Sequence, residues 1–140
     1  MRSRARVAEV ARAIAEAMHL DEAGVETCDI AGALMNLGKV TVPRGVLTKT
    51  EKLTDAELAM IRESILTSAD LIEGVEFDGP VAGTIRQLQE RWDGKGQPDN
   101  LAAEEILPTA RIVAVANAFV GMVSARAYRP GMSFDEASKA

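Results

Sequence analysis

Apolar residues in this chain recur at intervals of three and four positions, and no segment alternates apolar and polar residues as a strand would. The N-terminal stretch shows the pattern clearly, at Val7, Val10, Ala11, Ile14 and Met18. Such spacing places the apolar side chains on one face of a helix, and that face has to be buried against another element. The chain is therefore predicted to be all-α, a bundle of about five to seven helices.

Capping residues predict where the first helices begin and end. The first helix is expected over about residues 3–18. Asp21 can cap a second helix, and Gly38 is expected to end it, because glycine readily adopts the left-handed conformation found after helices. Residues 40–45 then predict a loop. The sequence Thr54-Asp55-Ala56-Glu57 is a capping box that opens a long third helix.

The C-terminal half is predicted to contain two helices, a long loop between them and the start of a third helix. A helix is expected around residues 81–88, followed by a loop over residues 93–100, which are rich in Gly, Asp and Pro. Residues 112–123 are apolar nearly all round, as is typical of a helix buried in the centre of a domain. A second capping box, Ser133-Phe134-Asp135-Glu136, predicts a last helix.

Length and charge argue against several functions. The chain has 140 residues, enough for one domain with a continuous core, and its formal net charge is −5. The cationic residues are scattered, which disfavours nucleic-acid binding. No apolar run approaches the roughly 20 residues that a membrane helix needs. Cys28 is the only cysteine, and it is expected to pack as a small apolar side chain in a cytoplasmic protein.

The single histidine limits the available chemistry. His19 lies at the end of the first predicted helix, and no HxxxH or HExxH pattern surrounds it. Hydrolytic metal centres and His-based nucleophilic systems need imidazoles that converge with other ligands or with a nucleophile. We therefore expect no metal centre and no cofactor, although the plentiful carboxylates leave an all-carboxylate Mg²⁺ or Mn²⁺ site open.

Five segments, in order and with matching spacing, resemble the HD-GYP family of bacterial cyclic di-GMP phosphodiesterases, which are related to the HD phosphohydrolases. The segments are residues 34–43, 48–54, 90–98, 107–119 and 124–129, and the third reads Glu90-Arg91-Trp92-Asp93-Gly94-Lys95-Gly96-Gln97-Pro98. The resemblance implies an HD-domain-like helical bundle over residues 1–140. From its length the chain is expected to form a single domain, and its ends suggest that this domain belongs to a longer multidomain regulator.

The departures from the family pattern fall on the positions that supply metal ligands. The family's His-Asp pair is Met35-Asn36 here, and its later His and Asp positions correspond to Ser64, Gln87, Leu88 and Asn117. Asn is nearly isosteric with Asp but neutral, and Met, Ser, Gln and Leu offer a divalent ion neither an anionic group nor an imidazole. The resemblance therefore implies a degenerate member of the family, and we expect an inactive homologue rather than an enzyme.

Basic residues at positions that match the family's own are candidate ligand-binding residues, and they are Lys39, Arg111, Arg126 and Arg129. Each could hold a phosphate through charge-assisted hydrogen bonds. For Arg111 and Arg126, a role in bracing helices is an equally good interpretation. For Lys39 the binding role is favoured, because a lysine just past a helix end has no evident duty in the core.

The loop over residues 92–98 is a candidate partner-binding surface. In the family, this loop is suspected of contacting other signalling proteins, notably diguanylate cyclase domains. Its residues here are Trp92, Asp93, Gly94, Lys95, Gly96, Gln97 and Pro98. Tryptophan often anchors interfaces, yet a lone tryptophan is more often buried, and burial is what we expect of Trp92. Gln97 replaces the family's tyrosine, which puts the particular partner preference in doubt.

Three functional hypotheses follow. The first is a non-catalytic signalling or scaffolding domain that acts through protein–protein interaction. The second is a metal-free cyclic di-GMP receptor, and the third is a residual metal-dependent phosphohydrolase. A C2 homodimer, common among helical signalling domains, is left open by the sequence.

Overall fold

The computed structural model describes the backbone of residues 2–127 and the side chains of residues 6–123, and this part of the chain contains six α-helices and no strand. The helices are α1 (Arg2–Ala17), α2 (Glu22–Leu34), α3 (Arg44–Leu47), α4 (Asp55–Ile72), α5 (Val81–Arg86) and α6 (Pro108–Ala127). Two 3₁₀ segments, Leu37–Thr41 and Ala103–Glu105, lie between them. The predicted all-α bundle is confirmed. The last predicted helix, at Ser133, lies outside the described residues.

Both predicted N-terminal caps are present. The Asp21 carboxylate accepts a hydrogen bond from the Gly24 N–H at 2.8 Å. At the start of α4, the Thr54 hydroxyl accepts from the Glu57 N–H at 3.1 Å, and the Glu57 carboxylate accepts from the Thr54 N–H at 2.8 Å. These bonds satisfy backbone donors that a helix start leaves without partners, so α2 and α4 begin where the sequence predicted.

The predicted end of α2 at Gly38 is wrong, because the helix ends at Leu34 and Gly38 lies inside the first 3₁₀ segment. A side chain at Gly38 would overlap the Ser64 carbonyl oxygen of α4. The Gly38 N–H also donates to the Ser68 hydroxyl at 2.7 Å. Close packing against α4 therefore requires glycine here. The loop predicted over residues 40–45 is also partly helical, since the 3₁₀ segment reaches Thr41 and α3 starts at Arg44.

One hydrophobic core joins α1, α2, α4, α5 and α6. The approach of α1 and α2 is close, because a Cβ at Gly32 would lie 2.9 Å from the Ala8 Cα. Cys28 is fully buried in this core, as predicted, and burial raises the pKa of its thiol to about 11. His19 follows α1 in a left-handed conformation with φ of 62° and is exposed. Among residues 2–127, none of the helices combines the length and the hydrophobicity that a membrane span requires.

The prediction that residues 112–123 are buried on all sides is wrong. One face of α6 packs into the core through Ile112, Val113, Ala116 and Val120. The opposite face exposes three large apolar side chains, Val115 (60% exposed), Phe119 (49%) and Met122 (54%). Because α6 contacts α1, α2 and α5, which cover only one of its faces, it lies at the edge of the bundle rather than at its centre.

Candidate functional site

A pocket of about 230 Å³ opens between α1, the first 3₁₀ segment, α4 and α6. Its lining comes from segments that are far apart in sequence, and the residues are Val7, Met35, Asn36, Lys39, Ile61, Ile65, Asn117, Val120 and Gly121. The packing of α6 against α1 and of the 3₁₀ segment against α4 brings these residues together. Three positions where the family resemblance places metal ligands, at residues 35, 36 and 117, therefore share one pocket with Lys39.

The polar side chains that line this pocket are the amides of Asn36 and Asn117 and the ammonium of Lys39. Met35 is 2% exposed and lines the pocket. Asn36 is partly buried, whereas Asn117 lies exposed on α6. Each amide offers two N–H donors and one carbonyl acceptor, and Lys39 offers three donors with a positive charge. Such a set can hold hydroxyl groups and phosphate oxygens.

The side chains of this pocket do not fit a divalent metal. Neither Asn36 nor Asn117 carries an anionic charge, and the Met35 thioether is a soft, weak ligand. Among the residues whose side chains are described, no group of three or more His, Cys, Asp or Glu residues is arranged to hold a metal ion.

The other three positions at which the family has ligands serve the packing of the bundle. The Ser64 hydroxyl is buried and donates to the Ile61 carbonyl oxygen at 2.5 Å. The Gln87 amide oxygen accepts from the Leu107 N–H at 2.7 Å, which ties the end of α5 to the start of α6. Leu88 is 8% exposed and belongs to the core. None of the three lines the pocket.

Of the two basic candidates whose side chains are described, Lys39 lines the pocket and Arg111 does not. The Arg111 guanidinium lies over the Trp92 ring, 5.3 Å from its centroid. Arg126 is part of α6, but its side chain is not among those described, and Arg129 lies outside the described residues. Lys39 and Arg111 therefore lie at different sites in the structure.

The loop over residues 92–98 is held by Glu90, a residue for which the sequence predicted no role. Glu90 is 9% exposed, and its carboxylate accepts hydrogen bonds from the N–H groups of Asp99 (2.8 Å) and Leu101 (2.9 Å). The Asp93 carboxylate accepts from the Lys95 N–H at 2.9 Å. A side chain at Gly96 would overlap the Gln89 carbonyl oxygen. An acidic residue two positions before a loop with two glycines was the available signal for Glu90.

The expected burial of Trp92 is wrong, because this side chain is 59% exposed. The ring lies against the Arg111 guanidinium, and more than half of the side chain is accessible to solvent. A large aromatic residue stacked on an arginine therefore stands on the surface, and both residue types are frequent anchors of interfaces.

Residues 1–140 match the HD domain family over their whole length, and the chain belongs to that family. Its curated relatives identify the HD-GYP type within it. The chain is 36% identical over 134 residues to the cyclic di-GMP phosphodiesterase response regulator RpfG of Xanthomonas campestris, covering 94% of this chain and 35% of that protein. It is 29% identical over 131 residues to the 3′3′-cGAMP-specific phosphodiesterase 1 of Vibrio cholerae, covering 94% and 30%.

A solved structure shows the same fold. The crystal structure of V-cGAP3, a cyclic GMP-AMP-specific phosphodiesterase of V. cholerae, superimposes with a TM-score of 0.67 at 19% identity. The match covers 96% of this chain and 37% of that one. The likeness confirms the predicted HD-domain-like bundle.

The expectation that this chain is not an enzyme is contradicted by these comparisons, because the matched proteins are named as phosphodiesterases. The chain spans between a quarter and about a third of the length of its curated relatives. That residues 1–140 form one domain of a longer regulator stays a prediction, as does a homodimer.

Proposed function

We propose that this domain belongs to a cyclic dinucleotide signalling system and binds a cyclic dinucleotide at the pocket that contains Asn36, Lys39 and Asn117. The observation that carries the proposal is the convergence of one ammonium and two amides on a single pocket. Relatives over most of this chain are named for cyclic di-GMP or for 3′3′-cGAMP. Both ligands carry two phosphodiester groups, so a pocket rich in donors matches their chemistry.

The size of the pocket determines which part of the ligand enters. About 230 Å³ is below the roughly 300–1,000 Å³ of ordinary small-molecule sites, so a whole cyclic dinucleotide does not fit inside. One phosphodiester group and its sugar enter, and the bases remain outside the pocket. Lys39 donates to the phosphate oxygens, and the amides of Asn36 and Asn117 bond the sugar hydroxyl and the remaining phosphate oxygen.

This mode of recognition does not depend on a metal. The phosphodiester charge is balanced by Lys39, and the amides contribute neutral hydrogen bonds. Binding should therefore persist in the presence of a chelator. It should weaken with salt, because part of its free energy is the attraction between an ammonium and a phosphate near the surface.

Calorimetric titration with cyclic di-GMP in EDTA tests the proposal. Binding is expected, and Lys39→Ala should weaken it about tenfold or more, since a hydrogen bond to a charged group contributes about 1.5–3 kcal/mol. Lys52→Ala is the matched control, because Lys52 is exposed and lies outside the pocket lining. No binding, or equal affinity in the two variants, would refute the assignment. A parallel assay for linear dinucleotide with added Mn²⁺ measures whether turnover follows binding.

We also propose that the loop over residues 92–98 binds a partner protein of the same signalling system, such as a diguanylate cyclase domain. The exposure of Trp92 and its stack on Arg111 support this second role. Trp92→Ala should weaken the complex at least tenfold in biolayer interferometry, because a central tryptophan commonly contributes 2 kcal/mol or more, on the order seen at hot spots. Unchanged affinity would refute it. Lys52→Ala again serves as the surface control.

A further inference from the structure

A second pocket, of about 340 Å³, lies between the end of α1 and the start of α6 and shares no residue with the proposed nucleotide pocket. We name it the α1–α6 groove. It is lined by Ile14, Met18, Pro108, Arg111, Ile112 and Val115. Five of these side chains are apolar, and Arg111 is the only charged one. A volume of this size lies within the range of small-molecule sites, roughly 300–1,000 Å³.

Arg111 has an unusual environment for a partly buried arginine. Its Nε is buried and has no hydrogen-bond partner. Among the described side chains, no carboxylate lies within ion-pair distance of its guanidinium, whereas Arg12, Arg86 and Arg91 each pair with an aspartate. Its described contact is the Trp92 ring, 5.3 Å away. Buried charged donors are normally paired, because leaving one unsatisfied costs free energy.

The position of Arg111 near the start of α6 adds to the positive charge that has no carboxylate partner. Arg111 is the fourth residue of a helix of 20 residues, and the first turn of α6 contains no acidic residue. The N-terminal end of a helix carries a partial positive charge, so a cation there is disfavoured and an anion is favoured. An anion bound beside Arg111 would offset both the unpaired guanidinium and the helix dipole.

We propose that the α1–α6 groove binds an aliphatic carboxylate, a small amphipathic anion with an unbranched apolar chain. The carboxylate pairs with the Arg111 guanidinium. The chain lies along Ile14, Met18 and Val115, of which Met18 and Val115 are 61% and 60% exposed without a ligand. Burial of each CH₂ group strengthens binding about fourfold, so a chain of several carbons supplies most of the affinity and the charge supplies the selectivity.

Decanoate is the probe, with decanol as the uncharged control of equal chain length, both below the concentration at which they aggregate. Methyl-labelled methionine makes the test specific, because Met18 lines the groove and Met35 lines the nucleotide pocket. Decanoate should shift the Met18 methyl resonance and leave that of Met35 unchanged. Decanol should bind at least about tenfold more weakly, since it lacks the charge-assisted hydrogen bond. Equal binding of the two, or no shift of Met18, would overturn the proposal.

Substitutions at exposed positions test the role of charge without disturbing the core. Val115→Glu places a carboxylate one helical turn from Arg111, where it can pair with the guanidinium and exclude the ligand. Met122→Glu is the matched control, because Met122 is 54% exposed on the same helix and lies outside the groove. Decanoate binding should be lost in Val115→Glu and retained in Met122→Glu. Retention in both variants would refute pairing with Arg111.

Discussion

Ser68 should stabilise the segment that carries Asn36 and Lys39, and Ser68→Ala measures by how much. Its hydroxyl is fully buried in α4, accepts from the Gly38 N–H at 2.7 Å and donates to the Met35 carbonyl oxygen at 2.7 Å. One side chain thus satisfies two backbone groups on either side of Asn36. Alanine fits the same space but leaves both groups buried without this partner.

The expected loss of stability in Ser68→Ala follows from those two backbone groups. Each buried polar group left unsatisfied costs about 1–3 kcal/mol, so the loss of a partner for two groups should lower the free energy of unfolding by about 2–6 kcal/mol. Ordinary domains are stable by about 5–15 kcal/mol, so the variant should still fold when the loss lies in the lower part of this range. Thr67→Ala is the matched control, because the Thr67 hydroxyl bonds only the Glu63 carbonyl of its own helix, at 3.2 Å, and its loss should cost less than about 1 kcal/mol.

Urea denaturation followed by circular dichroism gives the free energy of unfolding for both variants. Ser68→Ala should also weaken cyclic di-GMP binding, because the segment that positions Lys39 loses its attachment to α4. If Ser68→Ala is as mild as Thr67→Ala, the hydroxyl does not stabilise this segment and the reasoning fails. A loss of affinity without a loss of stability would also contradict it.

Three further predictions concern other buried or capping groups. Glu90→Gln should increase amide hydrogen exchange at Asp99 and Leu101, whose N–H groups it binds; unchanged exchange would contradict that role. Cys28 should resist alkylation in the folded protein. Because burial raises the pKa of its thiol from 9.0 to about 11, the thiol of the unfolded state loses its proton at a lower pH than the thiol of the folded state. The free energy of unfolding should therefore fall as pH rises from about 9 to 11, and Cys28→Ala should abolish this contribution of the thiol. Hydrogen bonds from Lys49 and Thr54 lower the pKa of the Glu57 carboxyl. The stability that these bonds give is therefore present above the usual pKa of 4.5 and lost as the pH falls below it. A Glu57→Gln variant with the same acid unfolding profile would refute this role of the carboxylate.

The family resemblance and the pocket chemistry lead to different expectations. Membership in the HD domain family associates the chain with phosphodiesterases. The pocket, however, offers Met35, Asn36 and Asn117 where a divalent ion would need anionic or imidazole ligands. The proposed binding of a cyclic dinucleotide through Lys39, Asn36 and Asn117 is consistent with both expectations. It uses the class of ligand for which the relatives are named, and it needs only side chains that line the pocket.

Local signals determined much of the fold. The caps at Asp21 and Thr54 act within four residues of their own positions, so the starts of α2 and α4 could be predicted from sequence alone. The periodicity of residues 7–18 likewise depends on one helix only. The burial of Cys28 was expected from its residue type, because a free cysteine packs as a small apolar side chain.

Three errors of prediction, at Gly38, α6 and Trp92, involve contacts between elements. Gly38 was expected to end a helix, but its role is the close approach to α4, which no local pattern contains. The apolar sequence of α6 does not indicate which face of the helix its neighbours cover. Trp92 is exposed because contacts of Glu90 and Gly96 determine the conformation of its loop.

The sequence by itself determined the helical class, the family and the residue types available for chemistry, because these depend on composition, periodicity and the order of motifs. Only the tertiary structure decided that Lys39 shares a pocket with Asn36 and Asn117, while Arg111 lies in another groove beside Trp92. The physical reason is that a site is made by side chains from separate helices. Their distances are set by how the helices pack, not by spacing along the chain.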